Sequence, residues 1–318
     1  MKKVVTLGGG TGNFTVLTGL KEYPVELSAI VAMSDDGGST GRLRTELGVL
    51  PPGDIRQCLV ALSSKEKLML DLMNYRFTNG GLEGNSFGNL LLSALEKVTG
   101  SFAEAVRAAS QILGVKGTII PVTLEQTRLC ARVADGRVLE GEYLIDNETP
   151  DAFKNVEPVE VYLRPSPTAN PEALQALREA DAVIIGPGAF YGSVLSHFFV
   201  RGIPEALRQS HAKKIFVCNL MTRWGQKGYK AQDFLDKVRE HTPIDVVFVN
   251  TAAPPKALLE AYQKQGEFLV EDNLSNRGVV RGDFLRQDPV AVEKADRVKR
   301  NLIRHDAQKL AASIIRSL

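Results

Sequence analysis

VVTLGGGTGNFTVLTGL, Val4 to Leu20, decides the fold. An apolar run over Lys3 to Leu7 reads as a buried strand. It stops at a glycine cluster, Gly8 to Gly12, and Phe14, Leu17, Thr18 and Leu20 then recur at helical spacing. A second apolar run, LSAIVAM from Leu27 to Met33, reads as another buried strand. Strand, glycine turn, helix and strand within about thirty residues form a βαβ unit. The expectation is an α/β protein with a Rossmann-like three-layer core and a mostly parallel sheet.

Further along, Ser34 to Gly53 is polar and glycine-rich and reads as a functional loop with room for a short helix. Asp54–Leu62, Lys65–Tyr75, Asn85–Val98 and Ser101–Leu113 read as helices, the last begun by a Ser101/Glu104 capping box. From Gly117 to Leu163 the pattern turns β-rich, with Asp135-Gly136 as a hairpin signal. Residues 117–165 are therefore expected to be a small β-rich insertion, or an edge of the main sheet, within one domain spanning 1–318. After Pro171 the α/β rhythm returns with strands at Asp181–Gly186, Ile215–Asn219 and Asp245–Asn250, and a helix from Gln308 to Leu318. Strands end on Gly8, Ser34-Asp35, Gly186, Asn219 and Asn250. Ligands of open α/β sheets sit beyond such carboxyl ends, so these loops are expected to meet at one cleft.

Composition narrows the function. The 39 basic and 37 acidic residues leave a net charge of +2, which gives no general attraction to nucleic acid or to an anionic membrane. The apolar run after Lys2 and Lys3 is too short for a signal peptide, and no stretch reaches the length of a membrane span. Cys58, Cys130 and Cys218 form no C-x-x-C pair, and the odd number argues against a disulfide framework. A cytoplasmic protein is expected, with homo-oligomerisation left open.

The motifs point to phosphate. In Gly9, Gly10, Thr11, Gly12 and Asn13, glycines allow backbone N–H groups to approach an anion, and the following helix adds its positive end. A tight turn needed only for packing is the competing reading. The sequence is not a P-loop, because no Gly-Lys-Ser/Thr follows. Nor is it a full dinucleotide fingerprint, because Asn13 stands where a third glycine belongs, although Asp35 lies where a ribose-binding acid would sit. NAD is thus a minor alternative ligand. SDDGGSTGRLR, Ser34 to Arg44, combines Asp35, Asp36 and Ser39 with two arginines suited to clamping phosphate. Asp35 and Asp36 are candidate catalytic groups, and Asp36 is a candidate Mg²⁺ ligand. In PPGDIR, Asp54 reads as a helix cap and Arg56, a third candidate catalytic group, as an anion-binding or ion-paired group. Asn85 and Asn89 lie four apart at a helix start. GPGAFYGS, with Gly186, Gly188 and Ser193, offers a second phosphate turn. Asp306 reads as the cap of the last helix. No Ser/His/Asp or Cys/His arrangement stands out.

GGGTG, DDGGSTGRLR, PPGDIRQCLVAL, SFGNLL, GPG and RHD occur in this order in the YvcK/CofD-like proteins, which the chain resembles from end to end. One branch of that family resembles the phospholactate transferase of deazaflavin biosynthesis. The other comprises gluconeogenesis factors that bind UDP-sugars and support cell shape and envelope growth. Chain length and the SDDGGSTGRLR loop look like the second. The resemblance implies a nucleotide site in which Tyr262, in LLEAYQKQGE, and Arg304, in RHD, contact the uridine end. The chain departs from the family pattern at Asn85, where histidine is usual. Ala189 and Gly192 lack the usual hydroxyls, and MTRWGQK, Met221 to Lys227, lacks the usual acid and threonine. The resulting expectation is a regulatory protein that binds a UDP-N-acetylglucosamine-like nucleotide sugar and needs no cofactor. A transferase using a nucleoside-diphosphate donor is the alternative.

Overall fold

A computed structural model describes residues 1–275, 277–287 and 302–318. The chain runs β1 (Lys2–Gly8), α1 (Gly10–Leu20), β2 (Val25–Val31), α2 (Gly38–Leu47), α3 (Gly53–Leu62), α4 (Lys67–Asn74), α5 (Phe87–Thr99), α6 (Phe102–Leu113) and β3 (Thr118–Pro121). It continues through β4 (Arg128–Val133), β5 (Val138–Glu140), α7 (Glu142–Asp146), β6 (Pro158–Arg164), α8 (Pro171–Glu179) and β7 (Ala182–Ile185). Then come α9 (Ile203–Gln209), β8 (Lys213–Val217), α10 (Ala231–Arg239), β9 (Val246–Asn250), α11 (Lys256–Gln263), β10 (Val279–Gly282) and α12 (Ala307–Ser317).

Seven strands form one sheet in the order β10-β9-β8-β7-β1-β2-β3, and each neighbouring pair is parallel. Parallel strands need crossovers, and helices supply them on both faces. Strands at the centre of such a sheet are covered on both sides, which is why Val4 to Leu7 and Ala182 to Ile185 are buried without alternation. In the sheet these two segments lie opposite each other, Val4 facing Ala182 and Leu7 facing Ile185. Among the helices, α1 packs on α3 and α12, and α8 packs on α9. Leu17 and Leu20 of α1, Ile30 of β2, Phe216 of β8 and Phe248 of β9 are fully buried in the core.

The β-rich segment divides. β3 is the edge strand of the main sheet, whereas β4, β5 and β6 form a separate antiparallel sheet in the order β5-β4-β6. The strand pattern read through EGEYLI is interrupted. Gly141, at φ +117°, turns the chain into the five-residue α7. The loop read at Ser34 to Gly53 contains the ten-residue α2, ended by Gly48 at φ +65°.

One close approach holds the centre together. A Cβ at Gly12 would lie 2.1 Å from the Pro187 carbonyl oxygen and 2.8 Å from the Gly188 Cα, so the turns after β1 and β7 touch. Gly12→Ala is expected to force them apart and cost about 2 kcal/mol or more, as overpacking does. A urea midpoint equal to that of the wild type would show that the turns have slack.

Candidate functional site

Along the chain, β1 is followed by β2 and β3 on one side, and the chain then returns to lay β7 against its other side. This reversal leaves a crevice at the carboxyl ends of β1 and β7, the usual ligand position in an open α/β sheet. A cleft of about 210 Å³ occupies it. The turn after β1 and the turn after β7 form its floor. The loop after β8 and the segment Ile303–His305 wall one side, and α7 walls another.

Three helix starts open into this space. α1 begins after Gly9, α2 after Gly37 and α3 after Pro52, and none has a side-chain cap. Gly10, Ser39 and Gly53, in the first turns of these helices, line the cleft. Uncapped N–H groups and the positive ends of the helix dipoles therefore point at one place, which suits an anion.

Four arginines, Arg56, Arg76, Arg223 and Arg304, line the cleft. Arg56 is 4% exposed and rigidly held. Its Nε donates to Asn89 Oδ1 at 3.0 Å, and Asn89 Nδ2 donates to Ser39 Oγ at 2.8 Å. Its Nη1 donates to Asn74 Oδ1. Gly88 makes room for it, since a Cβ there would lie 2.6 Å from Arg56 Cδ.

Acids face these cations. Burial raises the Asp35 carboxyl, and hydrogen bonds from Gly37 N–H, at 2.9 Å, and from Thr40 oppose the rise. The Asp54 carboxylate rests against the glycine turn, with Oδ2 2.2 Å from where a Gly9 Cβ would sit. Glu142 opens α7, and its carboxyl is raised well above the ordinary value by burial and then by Asp146, Asp35 and Asp54. Asp146 is raised to about 6 by burial, against the pull of Arg223. It accepts from Gly192 N–H at 3.0 Å, and its own carbonyl accepts from Arg223 Nη1 at 2.6 Å. Burial lowers His305 to about 4, so its ring is neutral at pH 7.

Most of the residues singled out from the sequence meet here. Gly9, Gly10, Thr11 and Gly12 line the cleft from β1's turn, and Asp35 and Ser39 from the following loop. Arg56 and Asn89 line it from α3 and α5, and Gly188, Asn219 and Arg304 from the far side. Asn219 also fixes the second turn, its Nδ2 donating to Gly188 O at 2.7 Å.

Others stand outside the lining. Asn13 is buried behind the turn, donating to Cys58 Sγ at 3.5 Å. Asp36 turns away, because its Oδ1 accepts the Tyr143 N–H at 2.8 Å. Among the described residues no three His, Cys, Asp or Glu side chains could hold a metal ion, so Asp36 has no cation cage around it. Asn85 is buried just before α5, and the cap is Ser86, which accepts from Asn89 N–H. Gly186 continues the ladder, donating to Leu7 O at 3.0 Å, and its φ of +73° sends Gly188 into the cleft. Tyr262 is 5% exposed, and its hydroxyl accepts from Leu302 N–H at 2.6 Å. It therefore holds the strand of chain that carries Arg304 and presents no ring face for a base. Arg42 and Arg44 donate to carbonyls, Arg42 to Glu83 and Arg44 to Asp35 and Thr127, so neither reaches the cleft. Asp54 is not a cap, since α3 starts at Gly53.

Sequence reasoning missed Arg76, Glu142, Tyr143, Asn147 and Arg223, which also line the cleft. Only Arg223, within the departed MTRWGQK motif, carried a signal.

A family model for the 2-phospho-L-lactate transferase CofD matches residues 4–287. The chain belongs to the CofD/YvcK family. A Thermotoga maritima protein provisionally named a gluconeogenesis factor is 42% identical over 319 residues, 99% of this chain and 98% of that one. The gluconeogenesis factor of Bacillus subtilis is 37% identical over 319 residues, 98% of this chain and 97% of that one. A crystal structure of a UPF0052-family member from Bacillus halodurans superposes with a TM-score of 0.88 at 36% identity, covering 99% of this chain and 98% of that one. The family's fold is thus the one described above.

The buried acids carry a pH signature. A carboxyl raised in the fold binds its proton more tightly there, so it stabilises the fold below its unfolded value. That contribution is lost as pH rises through the folded value. For Asp146 the window runs from 3.8 to about 6. Asp146→Asn is expected to gain on wild type between pH 4 and pH 7, by on the order of 3 kcal/mol. Urea unfolding at both pH values measures it, and a gap that does not change with pH contradicts it.

Proposed function

We propose that this family member binds a nucleoside-diphosphate-linked sugar of the UDP-N-acetylglucosamine type and acts as a regulatory gluconeogenesis factor. What carries this reading is the contact of the two glycine turns at the β1/β7 crevice, with three uncapped helix starts aimed into it. Linked phosphates match that donor set. Arg56 and Arg304, from two distant segments of the chain, add charge. Arg304 serves the nucleoside end, two residues after Leu302, whose N–H donates to the Tyr262 hydroxyl. Regulation of cell shape and envelope growth is the role such binding would serve. The relatives' shared name, gluconeogenesis factor, supports only the gluconeogenesis part of this reading.

A transferase reading has its own support. Asp35, an acid with a raised carboxyl, shares the cleft with Arg56, and the matching family model is named for a transferase. There Asp35 would take the acceptor's proton and Arg56 would steady phosphate charge. Any Mg²⁺ would draw its ligands mainly from the donor's phosphates.

Calorimetry with UDP-N-acetylglucosamine, UDP, GDP and NAD separates the readings. Binding of the uridine ligands is expected, with Arg304→Ala weakening it about tenfold or more, as loss of a charge-assisted contact does. Binding of NAD alone would end the nucleotide-sugar reading. Chromatography of the donor after long incubation with acceptor alcohols tests turnover. Consumption that disappears in Asp35→Asn would establish the transferase instead.

A further inference from the structure

A second pocket, of about 440 Å³, lies between α2 and the small antiparallel sheet and shares no lining residue with the cleft. Arg44 of α2, Arg128 of β4 and Arg164 of β6 line it. Among the described residues Glu140 of β5 is the one acid in that lining. We infer that this pocket is a second anion site, built for a phosphate dianion.

Strand register brings the guanidiniums together. Arg128 faces Arg164 directly across the β4/β6 ladder, where like charges repel. Glu140, opposite Cys130 on the other side of β4, answers both. Its Oε1 lies 3.6 Å from Arg128 Nη1, and its Oε2 accepts from Arg164 Nη2. Both arginine side chains are more than half exposed, and ion pairs at such positions are weak, so neither is locked to Glu140. Arg44 is held more firmly. Its Nη1 donates to Asp35 O at 2.9 Å and its Nη2 to Thr127 O at 2.6 Å. These neutral partners fix its place and leave its charge. Asp36 and Asp35 act on it from the loop before α2, and Arg128 from the ladder.

The setting selects the ligand. Glu140 shows what it accepts, an oxyanion held between guanidiniums. A phosphomonoester carries a charge of about −1.5 to −2 at pH 7 and three acceptor oxygens. A carboxylate has one charge and two oxygens, so phosphate displaces Glu140 from the same donors. A polyanion is not matched, because the basic face stops here. Arg132, next along that face of β4, is paired with Glu160 at 2.6 Å, and Arg137 with Asp135 at 2.7 Å. The net charge of +2 adds no long-range field. Thr45 and Gln126 line the rest of the pocket. The Thr45 hydroxyl donates to Gly41 O at 3.0 Å and still has lone pairs to accept with. The volume, about 440 Å³, is in the range of small-molecule sites, roughly 300–1,000 Å³, and leaves room for the polar stem of a phosphate ester.

The test is arginine modification by phenylglyoxal on the full chain, read residue by residue by peptide mass spectrometry at constant ionic strength. Glycerol 3-phosphate is expected to slow modification of Arg128 and Arg164 about threefold or more relative to potassium chloride, whereas glycerol leaves it unchanged. Inorganic phosphate is the second arm. Protection at lower concentration by the ester identifies a phosphomonoester as the ligand, and the reverse order identifies the free ion. Glu140→Gln removes the competing carboxylate, so half-maximal protection should come at about threefold lower concentration. Arg128→Gln should raise the concentration that protects Arg164 about fivefold or more, as loss of a charge-assisted contact does. Neither side chain is buried, and circular dichroism checks that both variants fold. Arg164→Gln, read at Arg128, carries the test should Arg128→Gln not fold. Arg304→Ala, in the cleft, should leave protection at Arg128 and Arg164 as in wild type. Equal rates in phosphate and chloride overturn the site. So does protection that Arg128→Gln leaves unchanged, or that Glu140→Gln does not tighten. Protection lost in Arg304→Ala overturns it too, because the anion then sits in the cleft.

Discussion

Because Gly12 has no side chain, the turns that follow β1 and β7 lie in contact. Everything in the cleft is arranged around that contact. It arises because neighbouring strands, far apart in sequence, end at the same level of the sheet, Leu7 beside Ile185. The sheet is stiff, so the backbone donors of the first turn keep their aim without a ligand. The three helix starts around them lack side-chain caps, and each missing cap forgoes about 1 kcal/mol of local stability. Rigid packing elsewhere offsets this, with Leu17, Ile30, Ile55 and Phe216 wholly buried behind the crevice. Helix starts without a capping side chain, on a frame that cannot easily rearrange, suit an anion.

Charge in the cleft is mixed, and burial decides its effect. Four arginines share the space with Asp35, Asp54 and Glu142. Were every acid ionised, the field at the glycine turns would be far less favourable to an anion. Burial raises the Asp35 and Glu142 carboxyls above their ordinary values. Arg56, by contrast, keeps its charge in a set geometry through Asn89 and Asn74. Burial thus favours the neutral forms of Asp35 and Glu142, while Arg56 is held in one orientation.

The opening βαβ unit was legible because periodicity changes from strand to helix at a glycine cluster, and the sheet's main strands followed from equally plain apolar runs. Side-chain direction was not legible. Asp35 and Asp36 are adjacent and identical in kind, yet only Asp35 lines the cleft. The Gly37 N–H holds Asp35, and the Tyr143 N–H, more than a hundred residues away, holds Asp36. Arg42 and Arg44 looked like phosphate clamps by composition, but distant carbonyls claim them. Tyr262 has the aromatic character a base would want, but it packs with Ile303 and its hydroxyl is taken by Leu302 N–H, forty residues on. α7 was hidden because five residues are too few for helical periodicity to register.

That hidden helix also shows how the two parts of the chain divide the work. β4, β5 and β6 make their own antiparallel sheet and share no ladder with the seven-stranded one. The insertion reaches the cleft through α7, whose Asp146 accepts from Gly192 N–H just after the β7 turn. A change in α7 therefore alters one wall of the cleft. A change at Gly12 or Pro187 would disturb both glycine turns. The two glycine turns belong to the parallel sheet, and one wall of the cleft belongs to the insertion.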